Sequence, residues 1–268
     1  MSLCIVSAFF DIGRGEWDTF TRSTEQYINN FRPYVGLGHN MVVFIDNRHV
    51  KTMEDVIETG GESSGRIKLV PISRKWMMDN IYAYKQLARE KEIMESDKFK
   101  KLTMHRRSHP ECSKPEYNII QHAKIDFVAY VINNRLSESD YFAWSDFGYF
   151  QHPSRIPRSS LDINKFDLER VNFQAISELS ERDFNVPYTL IYAPERIGGF
   201  FYLGNAKNLL KYQELYHKIC KEFHKLGIVD DDQHIMIQSI AREPSLFKVW
   251  NLGGWHLVYN HFQSKIPN

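Results

Sequence analysis

Short apolar runs alternate with longer amphipathic segments through the first half of the chain. Apolar runs closed by turn residues are typical of buried strands, whereas apolar positions three and four residues apart are typical of core-facing helices. The runs predict strands at Leu3–Phe10, Met41–Ile45, Ile67–Ile72 and Tyr141–Ser145. The spaced positions predict helices at Glu16–Phe31 (with Pro33 as its stop), Val50–Thr59, Trp76–Ser96 (as one or two helices) and Glu116–Asn134. This alternation indicates βαβ units and a mostly parallel sheet.

The second half of the chain is less regular, beginning with a loop at 151–161 that is rich in Pro, Ser and Arg. Further strands are predicted at Phe173–Ile176, Tyr188–Tyr192 and Ile197–Asn205, helices at Ala206–Leu226 and Asp232–Arg242, and short strands within Phe247–Phe262. No repeat or linker interrupts the pattern. We therefore expect a single α/β domain over residues 1–268, with a mostly parallel central sheet flanked by helices.

Composition narrows the class of protein. The 268 residues carry a net charge of +1, so no overall positive field favours nucleic acid as a partner. The three cysteines are far apart and contain no C-x-x-C pair, which favours a reducing cytoplasm. Leu3–Phe10 lacks a basic segment before it, so we interpret it as a strand rather than a signal peptide. No apolar run approaches membrane-spanning length.

The segment Tyr141–Tyr149 is the centre of the predicted site, because an apolar run there ends in Ser145 and the lone carboxylate of Asp146. Ligands of open α/β sheets bind beyond the carboxyl ends of the strands, which is where Asp146 would stand. The stretch therefore predicts a metal or sugar-nucleotide site. The alternative is an acid that only caps the following turn.

Four other segments carry candidate chemistry. The turn at 11–15 places two glycines and Arg14 after the first strand, which suits a diphosphate or an ordinary loop. Gly198 and Gly199 indicate close approach of the backbone to a ligand or a neighbour. The basic segment 96–114 is predicted to be a loop, either a flap over phosphates or a solvated charge run. Three acids at 230–232 open a helix, where capping and the helix dipole explain one or two of them.

Three segments in this order, W-S-D-F-G-Y, then I-G-G-F-F-Y-L-G-N, then D-D-D-Q-H, resemble nucleotide-sugar glycosyltransferases of the GT-A type. More narrowly, A-F-F-D-I-G-R near the start and W-S-D-F-G-Y are similar to the HtrL/YibB family. That family is linked to bacterial lipopolysaccharide or surface-glycan synthesis. The resemblance extends from Ile5 to Gln233 and implies a GT-A-like fold.

The resemblance also implies roles for individual residues. Asp146 would match the last acid of the metal-binding D-x-D motif, while Trp144 stands where its first acid usually is. Because one carboxylate is a weak metal site, either another ligand such as His256 or His261 would complete it, or the metal would be dispensable. Asp232 would act as the acceptor-side base with Asp231 behind it. Residues near the nucleotide sugar would be Phe9, Asp11, Arg14, Trp144, Asp146, Gly198, Gly199 and Gln233.

The activity implied is transfer of a sugar from a nucleoside-diphosphate donor to a glycan or glycolipid acceptor of the lipopolysaccharide or capsule type. Mn²⁺ or Mg²⁺ would neutralise the diphosphate. The protein would be cytoplasmic, and a peripheral contact with the inner face of the membrane, through the acceptor, is left open. Two alternatives stay open as well: a nucleotide- or glycan-binding protein without transferase activity, and a metal-dependent hydrolase of nucleotide sugars.

Overall fold

The computed structural model describes residues 1–265, with side chains except those of residues 62–64. Seven strands form one sheet in the order β3-β2-β1-β4-β6-β5-β7. They are β1 (Leu3–Phe9), β2 (Asn40–Asp46), β3 (Ile67–Ile72), β4 (Tyr141–Ser145), β5 (Val171–Ala175), β6 (Ile197–Asn205) and β7 (Phe247–Asn251). Strand β1 pairs in parallel with both β2 and β4, and β3 continues the parallel run beyond β2.

The reversal of β6 makes the sheet mixed. This strand is antiparallel to both of its neighbours, β4 and β5, while β5 and β7 are again parallel. Among the strands of the described chain, β6 alone runs against the common direction. The prediction of an α/β domain with a mostly parallel central sheet is therefore confirmed.

Helices cover both faces of the sheet. They are α1 (Thr24–Gly36), α2 (Val50–Glu58), α3 (Arg74–Asn80), α4 (Leu87–Glu95), α5 (Asp97–Leu102), α6 (Pro110–Ser113), α7 (Pro115–Asn133), α8 (Val186–Tyr192), α9 (Ala206–Leu226), α10 (Asp232–Arg242) and α11 (Val258–Phe262). Alternate residues of β1 face opposite ways, so Val6 joins a core with α7, α9 and α10, whereas Ile5 joins a core with α1, α2 and α11. Both faces of the central strands are thus buried, as in parallel sheets generally.

The first helix starts later than its apolar spacing predicts. Helix α1 begins at Thr24 because the side chain of Ser23 caps it, accepting the backbone N–H of Gln26 at 3.1 Å. The prediction that the helix stops at Pro33 is also wrong, since α1 continues through Pro33 to Gly36. The segment between β1 and α1 is consequently a loop with one short 3-10 turn, and it borders the pocket described below.

Two further elements differ from their predictions. Tyr188–Tyr192 is helical rather than extended, because Asn185 caps α8 by accepting the N–H of Tyr188 at 3.0 Å and a proline occupies the first turn. The basic segment 96–114 is not a loop but contains α5, a 3-10 turn and α6. Its Arg106 is buried and donates to Glu111 and to the carbonyl oxygen of Leu190, at 2.5 and 2.7 Å.

Candidate functional site

A pocket of about 240 Å³ opens at the carboxyl ends of β1 and β4. These two strands are neighbours, yet the chain leaves β1 for β2 and β3 on one side while β4 adjoins β6 on the other. Such a switch point is where open α/β sheets leave a crevice for ligands. The lining includes, among the residues predicted from sequence, Phe9, Asp11, Arg14, Trp144, Asp146, Gly199, Asp232, Gln233 and His256. Gly198, Asp231 and His261 lie outside it.

Asp146 is held firmly where β4 ends. Its backbone N–H donates to the carbonyl oxygen of Phe200 at 2.9 Å, and its own carbonyl oxygen accepts the hydroxyl of Tyr34 at 3.0 Å. The indole Nε1–H of Trp144 donates to Oδ1 of Asp146 at 2.7 Å. Among the described residues, no backbone N–H donates to this carboxylate, so it is not a turn cap. Its side chain is 34% exposed, which leaves it accessible from the pocket.

Lys124 of α7 connects the two acids at the base of the pocket. Its ammonium nitrogen lies 3.0 Å from Oδ1 of Asp146 and 2.7 Å from Oδ2 of Asp232. The same nitrogen donates to the carbonyl oxygen of Gly199 at 2.9 Å. Burial alone would lower the pKa of Lys124, but the two carboxylates outweigh it and raise that pKa above its usual value. Lys124 is therefore a fixed positive charge between two fixed negative ones.

Strand β6 approaches this cluster through two glycines. A Cβ built on Gly199 would lie 2.2 Å from Oδ2 and 2.5 Å from Cγ of Asp232, so only glycine leaves room for that carboxylate. A Cβ on Gly198 would instead meet the ring of Phe200 at 2.3 Å. The predicted close backbone approach is confirmed at both positions. Both contacts concern residues that line the pocket, since Phe200 belongs to the lining as Asp232 does.

Asp232 is the first residue of α10 and is almost completely buried. Its Oδ2 is bound to Lys124, whereas its Oδ1 accepts no hydrogen bond from the described residues. Gln233 follows it in the pocket wall, and its backbone N–H is capped by Asp231. The pocket thus contains one oriented carboxylate with an oxygen still able to accept a proton.

Asp231 belongs to a second cluster behind α10, outside the pocket lining. Burial and the adjacent Asp230 raise the pKa of Asp231 to about 8, although Oδ1 accepts the N–H of Gln233. His234 lies 2.6 Å from Asp230 and, despite burial, that carboxylate raises its pKa to about 9. Arg106 completes the cluster, 4.0 Å from Asp230. Asp230 and Asp231 thus have structural partners, the first in His234 and Arg106 and the second in the N–H of Gln233.

Two guanidinium groups also line the pocket, those of Arg14 and Arg22. Arg14 donates to the hydroxyl of Tyr27 at 2.9 Å, and the guanidinium of Arg22 lies over the ring of Tyr27, 5.2 Å from its centroid. Their other hydrogen bonds go to the carbonyl oxygen of Phe20 and the side chain of Gln151. Neither forms an ion pair with a carboxylate among the described side chains. Both charges are therefore available to an anionic ligand.

Asp11 and Phe9 stabilise the part of the pocket that contains Arg14 and Tyr27. Oδ1 of Asp11 accepts the N–H of Gly13 at 2.9 Å, and Gly13 has a φ of 74°, which favours glycine. Phe9 is 7% exposed and packs against Phe147 and Tyr27, with ring centroids 5.1 Å apart in both pairs. Asp11 thus stabilises the turn that precedes Arg14, and Phe9 packs against the ring of Tyr27.

The two tail histidines differ in position. His256 lines the pocket and stacks on Phe200, with ring centroids 4.3 Å apart. Burial lowers the pKa of His256 to about 4, so its ring is neutral near pH 7. His261 is exposed on α11 and does not line the pocket.

The arrangement does not fit the divalent ion that the resemblance implies. Oδ1 of Asp146 already accepts from Trp144 and Lys124, and Oδ2 of Asp232 accepts from the same lysine. Within residues 1–265, only Asp230, Asp231 and His234 bring three candidate ligand atoms within 4.8 Å of one another. Asp146, His256 and His261 are therefore not assembled as a three-residue metal site, and Mn²⁺ or Mg²⁺ stays a prediction.

Sequence reasoning missed Lys124, Arg22 and Tyr27. Lys124 is four residues after Ile120 and three before Phe127, so it lies on the apolar face of its helix. A charged residue on such a face is rarely buried unless paired, which was a usable signal. Arg22 and Tyr27 had no comparable signal, because their position depends on the loop before α1.

Comparison with known proteins is consistent over nearly the whole chain. The chain is 26% identical over 286 aligned residues to Protein HtrL of Escherichia coli (strain K12), covering 98% of this chain and 93% of that protein. In the described part of the molecule, no helix is both long and apolar enough to cross a membrane. The model of the family described as bacterial protein of unknown function (HtrL_YibB) matches residues 1–264, so the chain belongs to that family.

Proposed function

We propose that this protein is a glycosyltransferase that moves a sugar from a nucleoside-diphosphate donor to a glycan or glycolipid acceptor of a bacterial surface glycan. The pocket supports the proposal by its place at the switch point between β1 and β4. The surface-glycan acceptor follows from the resemblance of the A-F-F-D-I-G-R and W-S-D-F-G-Y segments alone.

The observation that carries the proposal is the pair of guanidinium groups that contact Tyr27, one at its hydroxyl and the other over its ring. Arg14 and Arg22 each keep hydrogen-bond donors for a ligand, and no carboxylate among the described side chains neutralises them. Planar guanidinium groups suit phosphate oxygens, with which they form paired, charge-assisted hydrogen bonds. Asp232 lines the same pocket, with one oxygen that accepts no hydrogen bond from the described residues. The pocket thus contains both anion-binding groups and a proton-accepting group.

Glycosyl transfer requires both an anion-binding group and a proton acceptor. The bond between the anomeric carbon and the diphosphate oxygen breaks, and the leaving diphosphate gains negative charge that Arg14 and Arg22 stabilise. A bond forms between that carbon and an acceptor hydroxyl oxygen, whose proton passes to Oδ1 of Asp232 in an inverting transfer. Gln233 and the neutral ring of His256, both in the lining, supply hydrogen bonds to sugar hydroxyls.

Calorimetry with a panel of nucleoside diphosphates and nucleotide sugars tests the proposal. We expect binding that weakens by about ten- to a hundredfold in Arg14→Gln and in Arg22→Gln, since each loses a charge-assisted hydrogen bond. Arg32→Gln is the matched control, because Arg32 is exposed on α1 and bonds only to Asn29. No binding to the wild type at millimolar ligand, or equal binding by all four proteins, would remove the nucleotide reading.

Product analysis then separates transfer from the two alternatives. Mass spectrometry of a donor incubated with candidate acceptors should show sugar on the acceptor for a transferase. Release of free sugar without an acceptor would identify a hydrolase. Binding with neither product would identify a nucleotide- or glycan-binding protein.

A further inference from the structure

Lys124 stands between the two acids of the pocket and uses its whole hydrogen-bonding capacity there. An ammonium group has three N–H donors, and its partners are Asp146, Asp232 and the carbonyl oxygen of Gly199. The three partners come from the end of β4, the start of α10 and strand β6. The lysine therefore has no donor left for a ligand, and its part in the pocket is to hold and partly neutralise the acids.

A divalent ion at this place would compete with the lysine. Such ions take six or more oxygen ligands, whereas Asp146 and Asp232 each have one oxygen bound to the ammonium group. Trp144 directs an N–H toward Asp146, and an N–H donor is not a metal ligand. An ion binding both acids would also be repelled by the ammonium group of Lys124, which lies 3.0 Å from Asp146 and 2.7 Å from Asp232.

We propose that Lys124 takes the place of the divalent cation, so that this pocket binds its anionic ligand independently of metal. Lys124 is a positioning residue, since it contacts the carboxylates and not the ligand. It fixes Asp146 and Asp232 and reduces the negative charge that an incoming phosphate meets, while Arg14 and Arg22 bind the phosphate itself. The inference rests on the proposed function only for the identity of the ligand.

The alternative is that the lysine merely stabilises the fold, as many buried ion pairs do. The two readings differ in what happens when the ammonium group is removed. In Lys124→Met two carboxylates face each other without a cation, and they should gain affinity for Mn²⁺. Lys211→Met is the matched control, because Lys211 forms an ion pair with Glu243 and neither residue lines the pocket.

Two measurements test the proposal. Electron paramagnetic resonance of free Mn²⁺ should show no uptake at this site by the wild type or by Lys211→Met, but uptake by Lys124→Met that Lys124→Met/Asp146→Asn loses. Calorimetry with nucleoside diphosphates should give wild-type affinities that agree within about twofold with Mn²⁺ and with a chelator. In Lys124→Met the chelator should weaken binding by about tenfold or more, because the acids then repel the phosphate.

The outcomes separate the inference from the function beneath it. Wild-type protein that takes up Mn²⁺ and loses it in Asp146→Asn, or that binds nucleotides only with metal, would overturn the role of Lys124 while leaving the transferase intact. Absence of nucleotide binding under both conditions would overturn the function, and Mn²⁺ uptake would still decide the role of the lysine. If Lys124→Met does not fold, the wild-type measurements decide alone.

Discussion

Gly199→Ala is the sharpest test of how the pocket is built, because it adds one methyl group directly against a pocket acid. The new Cβ would lie 2.2 Å from Oδ2 and 2.5 Å from both other carboxyl atoms of Asp232. No real contact is this short, so the carboxylate must move. Oδ2 is the atom that pairs with Lys124 at 2.7 Å, so the movement breaks a buried ion pair.

The size of the effect follows from these contacts. Breaking a buried pair by displacing one partner costs about 3–5 kcal/mol, and overpacking a core position adds about 1–3 kcal/mol. Lys124 keeps Asp146 and the carbonyl oxygen of Gly199 as partners, which limits the loss. We therefore expect Gly199→Ala to lower the free energy of unfolding by about 3–5 kcal/mol.

Urea denaturation of a double-mutant cycle measures this coupling. Once Asp232→Ala has removed the carboxylate, Gly199→Ala should cost less than about 1 kcal/mol, giving an interaction energy of about 2–5 kcal/mol. Gly36→Ala is the control, since a Cβ there meets nothing within 4 Å and alanine is a better helix residue. Additive costs in the cycle, or a Gly199→Ala variant as stable as Gly36→Ala, would refute the described position of Asp232.

Two further predictions concern protons. Nuclear magnetic resonance should show His234 titrating near pH 9, and at lower pH in Asp230→Asn, because that substitution removes the charge that raises the pKa of His234 most. Because the folded-state pKa of His234 is raised, its stabilising contribution of about 3 kcal/mol is complete below pH 6.5 and is lost as pH rises through 9. A pH-independent unfolding free energy over that range would contradict this. Asp232→Asn should lower turnover by about 10²–10⁴-fold with donor affinity nearly unchanged in calorimetry, and near-normal turnover would move the base elsewhere.

The fold was predictable because its strands carry strong local signals. Leu3–Phe10 and Ile197–Asn205 are apolar runs closed by turn residues, and both became strands β1 and β6. Tyr188–Tyr192 is apolar too, but the cap from Asn185 and the proline after it make that run a helix. The apolar pattern predicted the correct element type where no capping residue opposed it, and it was wrong where a cap favoured a helix.

The site was predictable only in part, for a different physical reason. The rule that ligands bind beyond strand ends predicted the position of Asp146, whereas Asp232, at a helix start, was assigned to the same site only by the resemblance. The partner that unites them is Lys124, which lies in the middle of a helix, where apolar spacing predicts core. Arg22 and Tyr27 reach the pocket through the shape of a loop, and no periodic pattern specifies such a shape. The contacts between charged residues far apart in the sequence could thus not be predicted from local patterns.

Trp144, which stands where the D-x-D pattern has an acid, and Lys124 both contact Oδ1 of Asp146. With a carboxylate at position 144, Asp146 would share its oxygens with a metal, but the indole N–H of Trp144 donates to Oδ1 instead. That same oxygen lies 3.0 Å from the ammonium nitrogen of Lys124, so the two contacts together fix the orientation of the carboxylate. A site that had lost an acid and kept its metal would have no use for a buried ammonium group at this oxygen. Under the proposed function, Lys124 compensates for the departure at Trp144 from the D-x-D pattern, and the positive charge that meets the diphosphate would come from Arg14 and Arg22.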